Sequence, residues 1–193
     1  QARCYINTGV AHARAGDGRA AEKAYVIALE LSREAHAPDL AGLAALNLGV
    51  WYLSGGRFDD AAERLEEALR LFSTVKNEHH RLGSLYNLAT VALDRGDPAN
   101  ARDLYQSAVE LARTIGHPDL EVGALGGLGL SAFALGDRAS AQQALDNAMR
   151  LIGEREDWWF QGRELVEALG VRLTEGDGAT RLARFERAHA LAE

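Results

Sequence analysis

The stretch "LGGLGLSAFALGD", Leu125 to Asp137, carries glycine at Gly126, Gly127, Gly129 and Gly136. A glycine cluster ahead of a helical run is the pattern of a loop that cradles phosphate. Such a loop follows a strand, and nothing before residue 125 reads as strand. No G-x-x-x-x-G-K-[ST] sequence occurs anywhere in the chain. Forty residues upstream, the same stretch falls on Leu85–Asp97, "LYNLATVALDRGD". A further step falls on Ala45–Arg57, "ALNLGVWYLSGGR". The glycines belong to the first helix of a repeat.

The step of 40 recurs along the chain. It links Gly16, Gly56, Gly96, Gly136 and Gly176, and likewise Ala28, Ala68, Ala108, Ala148 and Ala188. Leu31, Leu71, Leu111, Leu151 and Leu191 follow it, as do the bulky Tyr25, Leu65, Tyr105, Leu145 and Phe185. Ala21, Ala61, Ala101 and Ala141 keep the register until Arg181 breaks it. Each unit reads as two helices. Gly96 suits a left-handed helix end, Asp97 caps the next helix, and Pro98 sits in its first turn, where a missing N–H costs nothing. Asp17, Asp137 and Asp177 repeat the cap; Arg57 departs from it and leaves capping to Asp59 or Asp60. No single pair buries its apolar face alone, so pairs must stack.

The pattern Leu46–Asn47–Leu48–Gly49, Tyr52, Gly56, Ala61, Leu65 and Ala68 resembles the tetratricopeptide repeat (TPR). The usual period is 34 residues; a step of 40 implies longer helices and is similar to the repeats of Pins/LGN polarity adaptors, kinesin light chains and many bacterial regulators. The resemblance implies an all-α, right-handed TPR-like α-solenoid of stacked antiparallel helix pairs. It covers residues 1–193 as a single array, with repeats at about 1–35, 39–75, 79–115, 119–155 and 158–193. The last is degenerate at Leu169, Gly170 and Arg181, which suits a cap. Gly123, Gly126 and Gly127 lie outside the pattern. Glycine inside a helix costs up to about 1 kcal/mol against alanine. Either another part of the chain approaches closely there or the fourth unit is soft.

Composition narrows the function. A net charge of −7 argues against a nucleic-acid surface, which needs a basic stripe. No apolar run approaches the roughly 20 residues that span a bilayer. Cys4, the one cysteine, forms no internal disulfide, so a cytoplasmic setting is expected. The chain opens at Gln1 already inside a helical pattern, which leads us to expect a piece of a longer protein. Six histidines (His12, His36, His79, His80, His117 and His189) occupy unrelated register positions. With no H-E-x-x-H and no Cys–His cluster, neither metal nor cofactor is expected. Asp59, Asp60, Glu63, Glu66 and Glu67 read as a solvated helix face. Catalysis has no support, so we expect a non-enzyme.

Recognition does have support. The resemblance implies that the first helix of each unit lines a concave groove, with the residue two before the crossing glycine projecting into it. That position holds Asn7, Asn47 and Asn87, then Gly127 and Glu167. A primary amide both donates and accepts, so a ladder of them can pair with the backbone of an extended peptide; the alternative is pairing with neighbouring helices or water. Other groove positions are Arg3, Leu43, Gly83, Gly123 and Arg163; Val10, Val50, Thr90, Leu130 and Gly170; and Arg14, Ser54, Asp94, Ala134 and Thr174. The groove is thus expected to be basic at its start through Arg3 and Arg14 and apolar in the middle. Repeats two and three have no matching cation, which argues against a carboxylate clamp. Trp158 and Trp159 either cover the weak fifth unit or anchor an interface. The expected role is a protein-interaction scaffold that takes an extended or helical segment. The alternative is a sensor domain of a larger bacterial regulator that binds a small effector or its own neighbouring domain. An exposed array end could also pair two copies as a homodimer.

Overall fold

The computed structural model describes residues 1–153 together with Val166, Leu169, Gly170, Val171 and Leu173. Trp158, Trp159, Phe160, Arg163, Glu167, Thr174 and nearly all of the fifth repeat lie outside the described residues. Eight helices run in order among them: α1 (Ala2–Arg14), α2 (Gly18–Glu34), α3 (Pro38–Ser54), α4 (Phe58–Thr74), α5 (Glu78–Asp94), α6 (Pro98–Ile115), α7 (Pro118–Ala134) and α8 (Arg138–Gly153). The fold is all-α, as the repeat implies.

Local chemistry explains the boundaries. Asp17, Asp97 and Asp137 each accept a hydrogen bond from the backbone N–H three residues on, at 3.1, 3.2 and 3.0 Å. Each supplies one of the partners that a helix start lacks. Pro38, Pro98 and Pro118 occupy first turns. The glycines of the step, Gly16, Gly56, Gly96 and Gly136, all have φ between +71° and +82°. There the N–H after the glycine folds back on the last turn, as from Asp137 to the Ala132 carbonyl at 2.9 Å.

Two features depart from the expectation. Arg57 has no cap, and neither Asp59 nor Asp60 supplies one: both lie inside the first turn of α4 and bind arginines instead, Asp60 to Arg57 at 2.7 Å and Asp59 to Arg95 at 2.9 Å. Their charge still favours the helix start through the dipole. A second left-handed series, invisible as a glycine pattern, also runs in steps of 40 between repeats: His36 (φ +50°), Lys76 (+55°) and Gly116 (+68°).

Two compact units are present, Gln1–Arg95 and Gly96–Glu193. In the first, α1 packs on α2 and α3, α2 on α3, and α3 and α4 both pack on α5. Its core runs through Ile6, Tyr25, Leu29, Leu48, Leu65 and Phe72 with small alanines between them. Helix α4 buries Ala61, Leu65, Ala68 and Phe72, one stripe at helical spacing, and turns its acidic residues outward. Helix α3, enclosed from two sides, is apolar almost all round. Phe72 is fully buried and stacks on His80 of α5 at 4.9 Å, so one side chain joins two repeats. In the second unit α7 packs on both α6 and α8.

The left-handed residues make a paired test. A non-glycine residue in that conformation costs about 1–2 kcal/mol. Gly96→Ala should lower unfolding stability by about 1 kcal/mol, whereas Lys76→Gly should leave it equal or slightly raised. Urea unfolding of both variants checks the opposite signs.

Candidate functional site

Helices α1, α3 and α5 each carry a stripe at i, i+4, i+7 and i+11, which is one helical face. On α1 the stripe is Arg3, Asn7, Val10 and Arg14. On α3 it is Leu43, Asn47, Val50 and Ser54, and on α5 it is Gly83, Asn87, Thr90 and Asp94. The other side of each first helix packs inward. A Cβ built on Gly9 would stand 2.5 Å from the Tyr25 ring, and one on Gly49 would stand 2.7 Å from Leu65. The stripes of α3 and α5 adjoin, since Leu46 comes within 3.9 Å of the Cβ position of Gly83.

The middle of this face is apolar and open. Val50 is 39 % exposed, among the most exposed large hydrophobic residues described. Leu43 and Leu46 beside it are half-buried. The three asparagines share a register but not an environment: Asn7 is exposed, Asn47 half-buried and Asn87 buried. Asn47 Nδ2 donates to the Leu43 carbonyl at 2.8 Å, and Asn87 Nδ2 donates to the Gly83 carbonyl at 2.7 Å. Each back-bond to the preceding turn occupies one amide hydrogen and leaves the oxygen and the second hydrogen. Thr90 Oγ1 makes a similar bond to the Tyr86 carbonyl at 3.0 Å.

The second unit shows why the ladder stops. A Cβ on Gly127 would lie 2.2 Å from the ring of Tyr105, itself wholly buried, so no asparagine fits there. Gly129 is likewise held open by Leu169 at 2.2 Å and Ala144 at 3.2 Å. These two glycines of the opening stretch serve close packing. Leu130, expected on the groove wall, is buried at 8 % exposure, because α7 is enclosed along nearly its whole length.

Charges on the first unit separate into paired and unpaired. Arg57 bonds Glu22 at 2.9 Å and lies 4.1 Å over the Tyr52 ring, while the Tyr52 hydroxyl donates to Glu22 at 3.0 Å. Burial, and then the bond to Glu22, push the Tyr52 phenol above its ordinary value. Arg33 and Arg64 both hold Glu67, at 3.1 and 2.7 Å, along a cleft of about 390 Å³ between α2 and α4. Its charges already satisfy one another, with the Arg64 and Glu67 side chains only 18 % and 16 % exposed. By contrast, among the described residues no ion pair involves Arg3, Arg14 or Asp94. Partial desolvation, with no cation to offset it, raises the Asp94 carboxyl above its ordinary value. No group of histidine, cysteine and acidic residues that could hold a metal occurs among the described residues, and none of their helices is long and apolar enough to cross a membrane.

The chain belongs to the MalT-like TPR region family, whose model matches residues 1–190. No protein of curated function matches it in sequence. Its fold is similar to that of the apo form of RapI, with a TM-score of 0.84 at 14 % identity over 99 % of this chain and 70 % of that one. BtubC (BKLC) from P. vanneervenii is similar at 0.76 and 20 % identity, over 84 % of this chain and 67 % of that one. YrrB, described as a TPR protein with an unusual peptide-binding site, is similar at 0.57 and 21 % identity, over 96 % and 92 %. At these identities the likeness is one of TPR-like α-solenoid fold.

Two substitutions check the local physics. Helix propensity alone would have Gly127→Ala stabilise; with the ring at 2.2 Å the packing term should win, lowering stability by about 1–3 kcal/mol. Tyr105→Leu in the same chain should recover part of that loss in a double-mutant cycle. A raised carboxyl value in the folded state means the charged Asp94 opposes folding above the ordinary carboxylate range and not below it. Asp94→Asn should therefore raise the melting temperature at neutral pH, with the gain fading as the pH is lowered through that range.

Proposed function

We propose that the first unit binds an extended segment of a partner protein across α1, α3 and α5. Binding works by apolar burial and amide pairing, without bond making. The observation that carries this reading is the open apolar strip of α3, Leu43, Leu46 and exposed Val50, bordered by Asn47 and Asn87. Leu43 and Leu46 pack against the core with part of their surface and keep the rest open beside exposed Val50, and open apolar surface of this kind can receive a partner's side chains. The amides still have an oxygen and a hydrogen to offer a peptide backbone after their back-bonds. Membership of a TPR family, and the peptide-binding site described for YrrB, support the same class of partner. On this reading Arg3, Asn7, Arg14, Asn47, Val50 and Thr90 offer the partner exposed or half-buried surface, whereas Asn87 at 9 % and Leu130 at 8 % exposure offer little.

A second reading has the same face receive a small effector or a neighbouring domain of a larger regulator. It draws on the family description, which is of a region rather than of a whole protein. Trp158 and Trp159, as an interface anchor, would suit either reading.

Affinity capture with the wild-type chain, Val50→Asp and the Asn47→Ala/Asn87→Ala double variant tests the proposal, with circular dichroism as the control for folding. A partner held by the wild type should be lost with Val50→Asp. Losing two hydrogen bonds of about 1 kcal/mol each should weaken it roughly thirty-fold in the double variant. A partner captured equally by all three folded proteins would place binding elsewhere.

A further inference from the structure

The first unit's open face is electrically polarised across its three helices. The position that closes each stripe changes from Arg14 on α1 to Ser54 on α3 to Asp94 on α5. Arg3 is a second cation on the same face of α1, eleven residues earlier and so about 16 Å away along the axis. The residues around these charges are turned elsewhere. His12 faces Asp17 at 3.9 Å, and Arg95, next to Asp94 in the chain, is held by Asp59 at 2.9 Å. Arg3, Arg14 and Asp94 are in no ion pair among the described residues; Arg19, Lys23, Glu30, Glu34 and Lys76 are in none either, but they lie on α2 or in the turn after α4 and not on these stripes. Between Arg14 and Asp94 at that level lies Ser54, with exposed Val50 one turn before it on α3.

We propose that the occupant of this face is an extended protein segment with an acidic side chain at the α1 edge and a lysine or arginine at the α5 edge. Apolar side chains between them lie on Val50 and the α3 surface beside it. The inference rests on the reading of this face as a peptide groove and adds the charge pattern of the peptide. Neighbouring packed helices stand about 8–10 Å apart, so the span from α1 to α5 is roughly 16–20 Å. An extended chain advances about 3.3 Å per residue. The acidic and basic residues are therefore about six apart, an even step that turns both toward the face, with two alternate residues between them facing it too. A neutral apolar peptide would leave Asp94 desolvated without a cation. An all-acidic segment would bring a second carboxylate to it, and an all-basic one would meet Arg3 and Arg14.

The test uses the full chain and capped synthetic peptides with two leucines between the charged positions. Four versions carry acidic–basic, basic–acidic, both acidic or both basic ends, read by fluorescence anisotropy at low salt. Chain direction is free, so either mixed peptide satisfies the proposal. One of them should bind about tenfold more tightly than both like-charged peptides. Arg3→Glu with Arg14→Glu should move the preference to the both-basic peptide, and Asp94→Lys should move it to the both-acidic one. Asp94→Asn, a smaller change, should erase the preference over the both-acidic peptide, keep that over the both-basic one and leave the protein folded. Four peptides of equal affinity, all lost with Val50→Asp, would overturn the charge pattern and leave the groove standing. Failure of every peptide to bind would overturn both.

Discussion

The bulky residue near the middle of several second helices occupies room that a missing side chain leaves on a first helix. Tyr25 lies against Gly9, Leu65 against Gly49 and Tyr105 against Gly127, each too close for a Cβ to intervene. Interiors packed to this density accept no extra methyl without movement. Once these pairs are seated, the rotation of each first helix follows. On α1 and α3 the side bearing Gly9 and Gly49 is committed inward, which leaves the stripes through Asn7 and Asn47 away from that contact; on α7 the Tyr105 ring takes the ladder position itself. The face assigned to binding is thus a consequence of packing on the other side of the same helices.

Much of this was legible in the sequence because the step of 40 records it. Gly16, Gly56, Gly96 and Gly136 take the left-handed conformation that their spacing implies, and Asp17, Asp97 and Asp137 cap as their position implies. Ala21, Ala61, Ala101 and Ala141 are wholly buried. Features without a residue signature were not legible. His36 and Lys76 share a left-handed conformation with Gly116, but nothing in His or Lys announces it. Arg57 breaks the capping series because it serves Glu22, Asp60 and the Tyr52 ring instead. That cluster joins residues 30 and 35 apart in the chain, and no local reading finds it.

The candidate site was legible in register and not in depth. A repeat makes Asn7, Asn47 and Asn87 equivalent, whereas packing does not: exposure falls from the first to the third, and in the fourth unit Tyr105 takes the space outright. Leu130 is buried for the same reason, since α7 is enclosed where α3 is partly open. The polarity from Arg14 to Asp94 was present in the sequence as three letters. The structure adds that the neighbouring His12 and Arg95 are turned to Asp17 and Asp59.

The measurement that bears most directly on the central claim is a nuclear magnetic resonance titration of the labelled chain with a captured partner segment. The signals to follow are the side-chain amides of Asn47 and Asn87 and the methyl groups of Leu43, Leu46 and Val50. The account expects these to move together and to saturate at one affinity. Signals from Arg33, Arg64 and Glu67, along the cleft between α2 and α4, should stay in place. Shifts confined to that cleft, with the α3 methyls unmoved, would contradict it.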